Sequence, residues 1–259
     1  MTLPEPLQQD ARSLPIGKTT ADAYRAVFDH FPAFARAAFV PYLISLALWT
    51  LRLLVAESSF LPFLLSHLDV VPGTLFAVAW HRQILLGPAA GTPAFRPSWE
   101  ARHWRFLAYS LAVMAVSYVP WAFPIANLAA LVFVVFALVF YVLARFSFVF
   151  PAVAVDERYG FRHSWRHTEG HVWRLMATLV LAVLPLALLG GVVSAASPMG
   201  KTLWAGGLST ALYYLTTGVW VTVLSIAFRT CTGWFPGPLV LSAGPGPKSS
   251  ANSDFDDGA

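Results

Sequence analysis

Charge is scarce in this 259-residue chain, with 12% of residues Asp, Glu, Lys or Arg against 57% apolar. Soluble domains run nearer about 25% charged and about 45–50% apolar. Too little polar side chain is therefore present to coat a folded surface of this size. Cysteine is almost missing as well. The single Cys231 excludes an intrachain disulfide, and with it a disulfide-stapled scaffold. Carboxylates are missing from the apolar runs, since after Asp29 they fall at Glu57, Asp69, Glu100, Asp156, Glu157, Glu169 and in the C-terminal residues. A proton- or sodium-coupled carrier needs a titratable or coordinating group at the membrane midplane, so this scarcity argues against one. No GxSxG, P-loop, dinucleotide fingerprint or paired-carboxylate motif occurs. The expectation is a non-enzymatic protein without a cofactor and without a nucleic-acid partner.

Long apolar runs are what the chain has in abundance. A helix rising 1.5 Å per residue needs about 20 apolar residues to cross about 30 Å of hydrocarbon. Six stretches qualify or nearly so: 37–56, 70–86, 106–123, 125–146, 173–195 and 205–228. Segment 19–31 has Ala21, Tyr24, Phe28 and Phe31 at helical spacing opposite Asp22, Arg25 and Asp29, which predicts an amphipathic helix on the membrane surface. A short helix is expected around Phe161 to Glu169. The expected fold is all-α: a polytopic six-helix transmembrane bundle with an N-terminal amphipathic interfacial helix and a short cytoplasmic helix between spans four and five. Residues 1–18 read as a polar N-terminal segment, 19–232 as the membrane domain and 233–259 as a disordered cytoplasmic tail. The first 20 residues are polar and proline-broken, so no cleavable signal peptide is expected.

The few basic residues are sorted. With six spans, fifteen of the seventeen Lys and Arg fall on the side that holds both termini, and only Arg52 and Lys201 fall opposite. The positive-inside rule then assigns both termini to the cytoplasm, in a multi-pass protein of the cell's inner (plasma) membrane. Most tryptophans, Trp80 among them, lie at or near span ends, where an indole N–H stays wet. The pairs Gly190-Gly191 and Gly206-Gly207 read as seams of close helix packing.

Two groups of side chains stand out. His163, His167 and His171 recur every four residues, but no HExxH accompanies them and Gly170 interrupts the helix before His171. A basic interfacial helix meeting lipid headgroups is preferred there over a metal site. His81 and Arg82 have apolar residues on both sides, and Arg145 precedes the apolar run 146–155. Intramembrane ionisable groups are costly and normally face a partner or a wet cavity. Asp156 and Glu157 are candidate partners, and so is a lipid phosphate in a cytoplasmic-side basic pocket built from His81, Arg82, Arg145 and Arg174. Snorkelling of both arginines to the interface is the plainer alternative. The expected partner is the bilayer, anionic phospholipid in particular. A channel or transporter lined by Ser110, Ser117, Asn127, Thr216 and Thr217, and a scaffold subunit of a membrane complex, are the rival functions.

The run from Ala144 to Glu157, followed by Ser164-Trp165-Arg166 and Trp173-Arg174-Leu175, resembles a family of bacterial inner-membrane proteins. It includes YciC-like proteins and the membrane domain fused to some glycerophosphodiester phosphodiesterases. The pattern matched is Arg145, Ser147, Pro151, Glu157, Ser164, Trp165, Thr168, Gly170, Trp173 and Arg174, and the likeness extends over about residues 15–232. His167 and His171 depart from it. The resemblance implies a membrane-embedded helical fold and, by association, lipid or lipid-fragment handling.

Overall fold

In a computed structural model, described over residues 14–55, 60–87, 99–118, 129–196 and 203–235, all regular structure is helical. The expected tail from 236 onward, residues 1–13 of the polar segment, and Asn127 lie outside the described residues. Ten helices follow in order: α1 Ile16–Asp29, α2 Phe31–Leu54, α3 Phe60–Leu68, α4 Val70–Leu86, α5 Ala101–Ser117, α6 Ala129–Phe146, α7 Val149–Ala154, α8 Phe161–His167, α9 Val172–Ala196 and α10 Leu203–Thr232.

Proline and glycine set several of these boundaries. Pro32 lies in the first turn of α2, where its missing N–H would find no helical partner in any case. At the other end of α4, Gly87 takes φ 83°, a conformation that suits a residue without Cβ. Among the described residues, five segments are long and apolar enough to cross a membrane: Phe31–Leu54, Phe60–Leu86, Leu131–Ala154, Val172–Ala196 and Trp204–Thr232. These make the chain an integral, multi-pass helical membrane protein. Part of the expected span 106–123 lies outside the described residues, and its described part, α5, has 17 residues with Arg102, His103 and Arg105 near its start.

One boundary differs for a clear reason. The span expected at 70–86 begins ten residues earlier, because α3 and α4 follow each other with only Asp69 between them. Asp69 consequently lies inside an apolar segment, where the sequence had placed it at an edge. Its carboxylate accepts a hydrogen bond from Ser45 Oγ of α2, which is also 2.7 Å from Tyr214 Oη of α10. The premise that span interiors lack a carboxylate fails at this residue.

The most enclosed segment belongs to α10, which is 56% buried against 17–33% for the other four. α9, α4, α2, α7 and α1 all pack on it. Thr19, Ala23 and Val27 of α1 are buried against α9 and α10, and Tyr24 Oη donates to Ala182 O of α9 at 2.6 Å. At the centre Phe34, Phe76, Trp80 and Tyr214 meet edge to face, with ring centroids 5.2–5.5 Å apart. Trp80 is fully buried here and not at a wet span end. Its Nε1–H donates to Thr222 Oγ1 at 2.9 Å and to Gly218 O at 3.2 Å, so a protein acceptor replaces water.

Candidate functional site: an arginine cluster and an intramembrane cavity

The end of α4, the start of α5 and the turn after α7 meet around one carboxylate. Asp156 closes that turn with φ 64°, a left-handed conformation that Asp tolerates better than most residues. Its Oδ2 accepts from Arg102 at 2.5 Å and from Arg82 at 3.4 Å, and its Oδ1 accepts from Arg105 at 3.3 Å. Arg82 also donates to Ala154 O at 3.1 Å, which anchors it to the end of α7. Arg102 bonds Glu100 as well, its Nε–H reaching Oε2 at 2.8 Å. Three guanidiniums thus face two carboxylates, leaving one positive charge in excess. Arg82 and Arg102 are mostly covered, whereas Arg105 and Asp156 stay about half exposed. The network holds three helices together and still presents charge at its rim.

Arg145 is held differently. Its guanidinium carbon stands 4.3 Å from the ring centre of Trp165 and 5.9 Å from that of Tyr141, cation–π contacts within the useful range. The residue is buried and its Nε has no hydrogen-bond partner among the described residues. The chain breaks between α6 and α7 just after it, and α8 repairs the break. Ser164 Oγ donates to Arg145 O at 2.7 Å and accepts from Phe148 N at 3.1 Å, while Thr168 Oγ1 reaches the same carbonyl at 3.4 Å. Ser164 and Thr168 are fully buried. The Ser164-Trp165…Thr168 pattern legible in the sequence therefore has a structural use: two hydroxyls satisfy a helix break and an indole covers a cation.

The four expected pocket residues do not share a partner. Arg82 engages Asp156, Arg145 lies against Trp165, and Arg174 is exposed at the start of α9. His81 is fully buried and pairs through Nδ1 with Ser225 Oγ of α10 at 2.8 Å. Of the two acids offered as partners, Asp156 takes the arginines, and Glu157 accepts from Trp234 Nε1 at 2.8 Å. Arg102 and Arg105 join the cluster beyond the expected residues, and their three-residue spacing on one helix face is the sequence signal for them. The histidine series does not share one helix: α8 ends at His167, and Gly170 at φ 77° turns the chain before His171. His167 Nδ1 lies 2.8 Å from Tyr159 Oη, and burial lowers its pKa from the usual value.

Beside His81 lies a cavity of about 400 Å³ between α4, α5, α6, α9 and α10. Apolar side chains such as Phe106, Val113, Met114, Phe140, Leu179 and Trp220 form most of its wall. Ser110, Ser117 and Thr217, expected along a polar path, do line it, and Thr216 is not among its lining residues. Its size falls in the range of about 300–1,000 Å³ usual for small-molecule sites. No known protein family, no curated protein and no solved structure matches this chain.

Proposed function

We propose that this integral membrane protein binds anionic phospholipid at its cytoplasmic edge, through the arginines gathered around Asp156, and acts by binding and not by catalysis. The observation that carries this is the convergence of Arg82, Arg102 and Arg105 on one half-exposed carboxylate, with a net positive charge left over. A phosphate at the rim competes with Asp156 for guanidinium donors in the bidentate geometry arginine favours. The likeness to YciC-like inner-membrane proteins belongs to the same proposal and agrees with it in chemistry.

Six crossings, with both termini on the basic side, complete the proposal. The ion pairs support it, because they join the end of α4, the start of α5 and the end of α7 on one side of the bundle. α6 and α7 together run from Ala129 to Ala154, so α6 starts near the opposite side. A crossing by α5 would join those ends, and its 17 residues reach about 25 Å at 1.5 Å each, which supports this reading. The mainly apolar wall of the cavity favours a dry site over a hydrated path, which weighs against the channel alternative.

Native mass spectrometry of the whole protein with phosphatidylglycerol and phosphatidylcholine tests the lipid reading. Arg105→Ala is expected to lower phosphatidylglycerol retention about fivefold, the equivalent of ~1 kcal/mol per basic side chain at a membrane surface. Asp156→Asn removes the competing carboxylate and is expected to raise it. Loss of stability in Asp156→Asn without a gain in anionic lipid would reduce the cluster to a helix clamp.

A further inference from the structure

We propose that the cavity between α4, α5, α6, α9 and α10 is a binding site for an uncharged single-chain amphiphile bearing a hydroxyl, of the long-chain alcohol or monoacylglycerol class, entering from the bilayer. The inference is independent of the arginine cluster.

It starts from a hydroxyl without a partner. In this bundle a helical Ser or Thr commonly donates to the carbonyl four residues back, as Thr50, Ser117, Thr178, Thr217, Thr222 and Ser225 do at 2.7–2.9 Å. Thr74 does not. It is 2% exposed, lines the cavity, and its Oγ1 has no hydrogen-bond partner among the described residues. A buried hydroxyl left unpaired in an apolar setting is costly, and a ligand's polar group would offset that cost.

His81 adds the complementary group two helical turns along the same face of α4. Ser225 spends its proton on Val221 O, so the His81–Ser225 bond has Nδ1–H as its donor. In the neutral ring Nε2 is then an acceptor. An unpartnered hydroxyl, which must turn about the Thr74 Cα–Cβ bond to reach the cavity, and an imidazole acceptor thus lie in the wall, spaced roughly 10 Å apart along the helix. The surface between them is aliphatic and aromatic, suited to a hydrocarbon chain. Neither group carries a fixed charge, so an anionic or cationic head has nothing to pair with there.

Access follows from which walls are covered. Thr74, Ala77, His81 and Leu179, on α4 and α9, are buried, whereas Val113, Met114, Phe140 and Leu143, on α5 and α6, are only half-buried. On the same two helices Leu111, Phe133 and Leu138 are exposed apolar side chains, a surface for lipid tails and not for water. The open side therefore faces the hydrocarbon.

Trp220 in the cavity wall supplies a readout. The whole protein in nanodiscs is titrated with a terminally brominated long-chain alcohol, whose bromine quenches indole fluorescence, and in parallel with the matching brominated alkane. The expected result is a saturable quenching component that disappears in Trp220→Phe and in the cavity-filling Ala77→Phe. Val113→Phe fills the space from the α5 side without adding an indole and serves if Ala77→Phe does not fold. Thr74→Val is expected to weaken the alcohol several-fold and to leave the alkane unchanged. Quenching that rises without saturation, or equally in wild type and the filled cavity, overturns the site. Saturable binding in which alcohol and alkane respond alike to Thr74→Val overturns the proposed ligand class.

Discussion

At the scale of single residues, glycine decides how closely α10 is approached. A Cβ on Gly218 would meet Phe34 Cε2 at 2.4 Å, and one on Gly206 would meet the indole of Trp49 at 2.4–2.5 Å. Phe34 cannot yield easily, since Phe76 and Trp80 hold it edge to face on two sides. Gly218→Ala is therefore expected to destabilise the protein by about 1–3 kcal/mol, as overpacking of a filled core does. Gly190 and Gly191 have open space around them. Gly190→Ala should leave stability unchanged or raise it by up to about 1 kcal/mol through helix propensity. Thermal unfolding of the two variants in one detergent checks the contrast; a lower Tm for Gly190→Ala than for Gly218→Ala would invert it. The sequence presented both glycine pairs as seams, and spacing alone could not tell which one faced another helix.

At the scale of elements, helices here are joined by side chains that replace missing backbone partners. Ser164 bridges the interruption between α6 and α7 with two buried hydrogen bonds. Ser164→Ala leaves Phe148 N–H without that acceptor and removes one donor from Arg145 O, at an expected cost of about 1–3 kcal/mol. The loss should appear as a lower Tm together with faster amide exchange at Ser147 and Phe148; unchanged exchange there would show that the hydroxyl is not what holds the joint. α1 illustrates how far an amphipathic pattern can be read. The spacing of Ala21, Tyr24, Phe28 and Phe31 marked one face as apolar, yet Ala21, Phe28 and Phe31 are exposed and the buried stripe is Thr19, Ala23 and Val27 beside them. Ala23 and Val27 are buried against α9 and α10 because small side chains let α1 lie close to both. Asp69 differs from expectation for a related reason, because hydropathy alone does not join α3 to α4 across a carboxylate whose hydrogen-bond partner lies on α2.

For the whole molecule, the proposed topology rests on the segregation of charge and on the ion pairs around Asp156. In the Cys231→Ser background, Lys201→Cys is expected to react with a membrane-impermeant maleimide added to intact cells, and Arg158→Cys only after lysis. Labelling of both from outside would remove one crossing and reverse half of the proposed topology. The apolar and charged fractions sufficed for membrane residence, because a chain this poor in charge has no other way to satisfy its surface. Periodicity placed most helices to within a few residues, because the apolar runs set their lengths. Which charges meet is a different matter. Arg82, Arg102, Arg105 and Asp156 come from three separate segments, and no local pattern specifies that they converge. The cavity beside His81 likewise exists only where five helices fail to close completely. Composition and sequence spacing thus determined the class of molecule and its helices, since each depends on the chain's near neighbours. The arginine cluster, the unpartnered Thr74 and the buried Trp80 were decided by tertiary packing alone, because they depend on residues tens of positions apart.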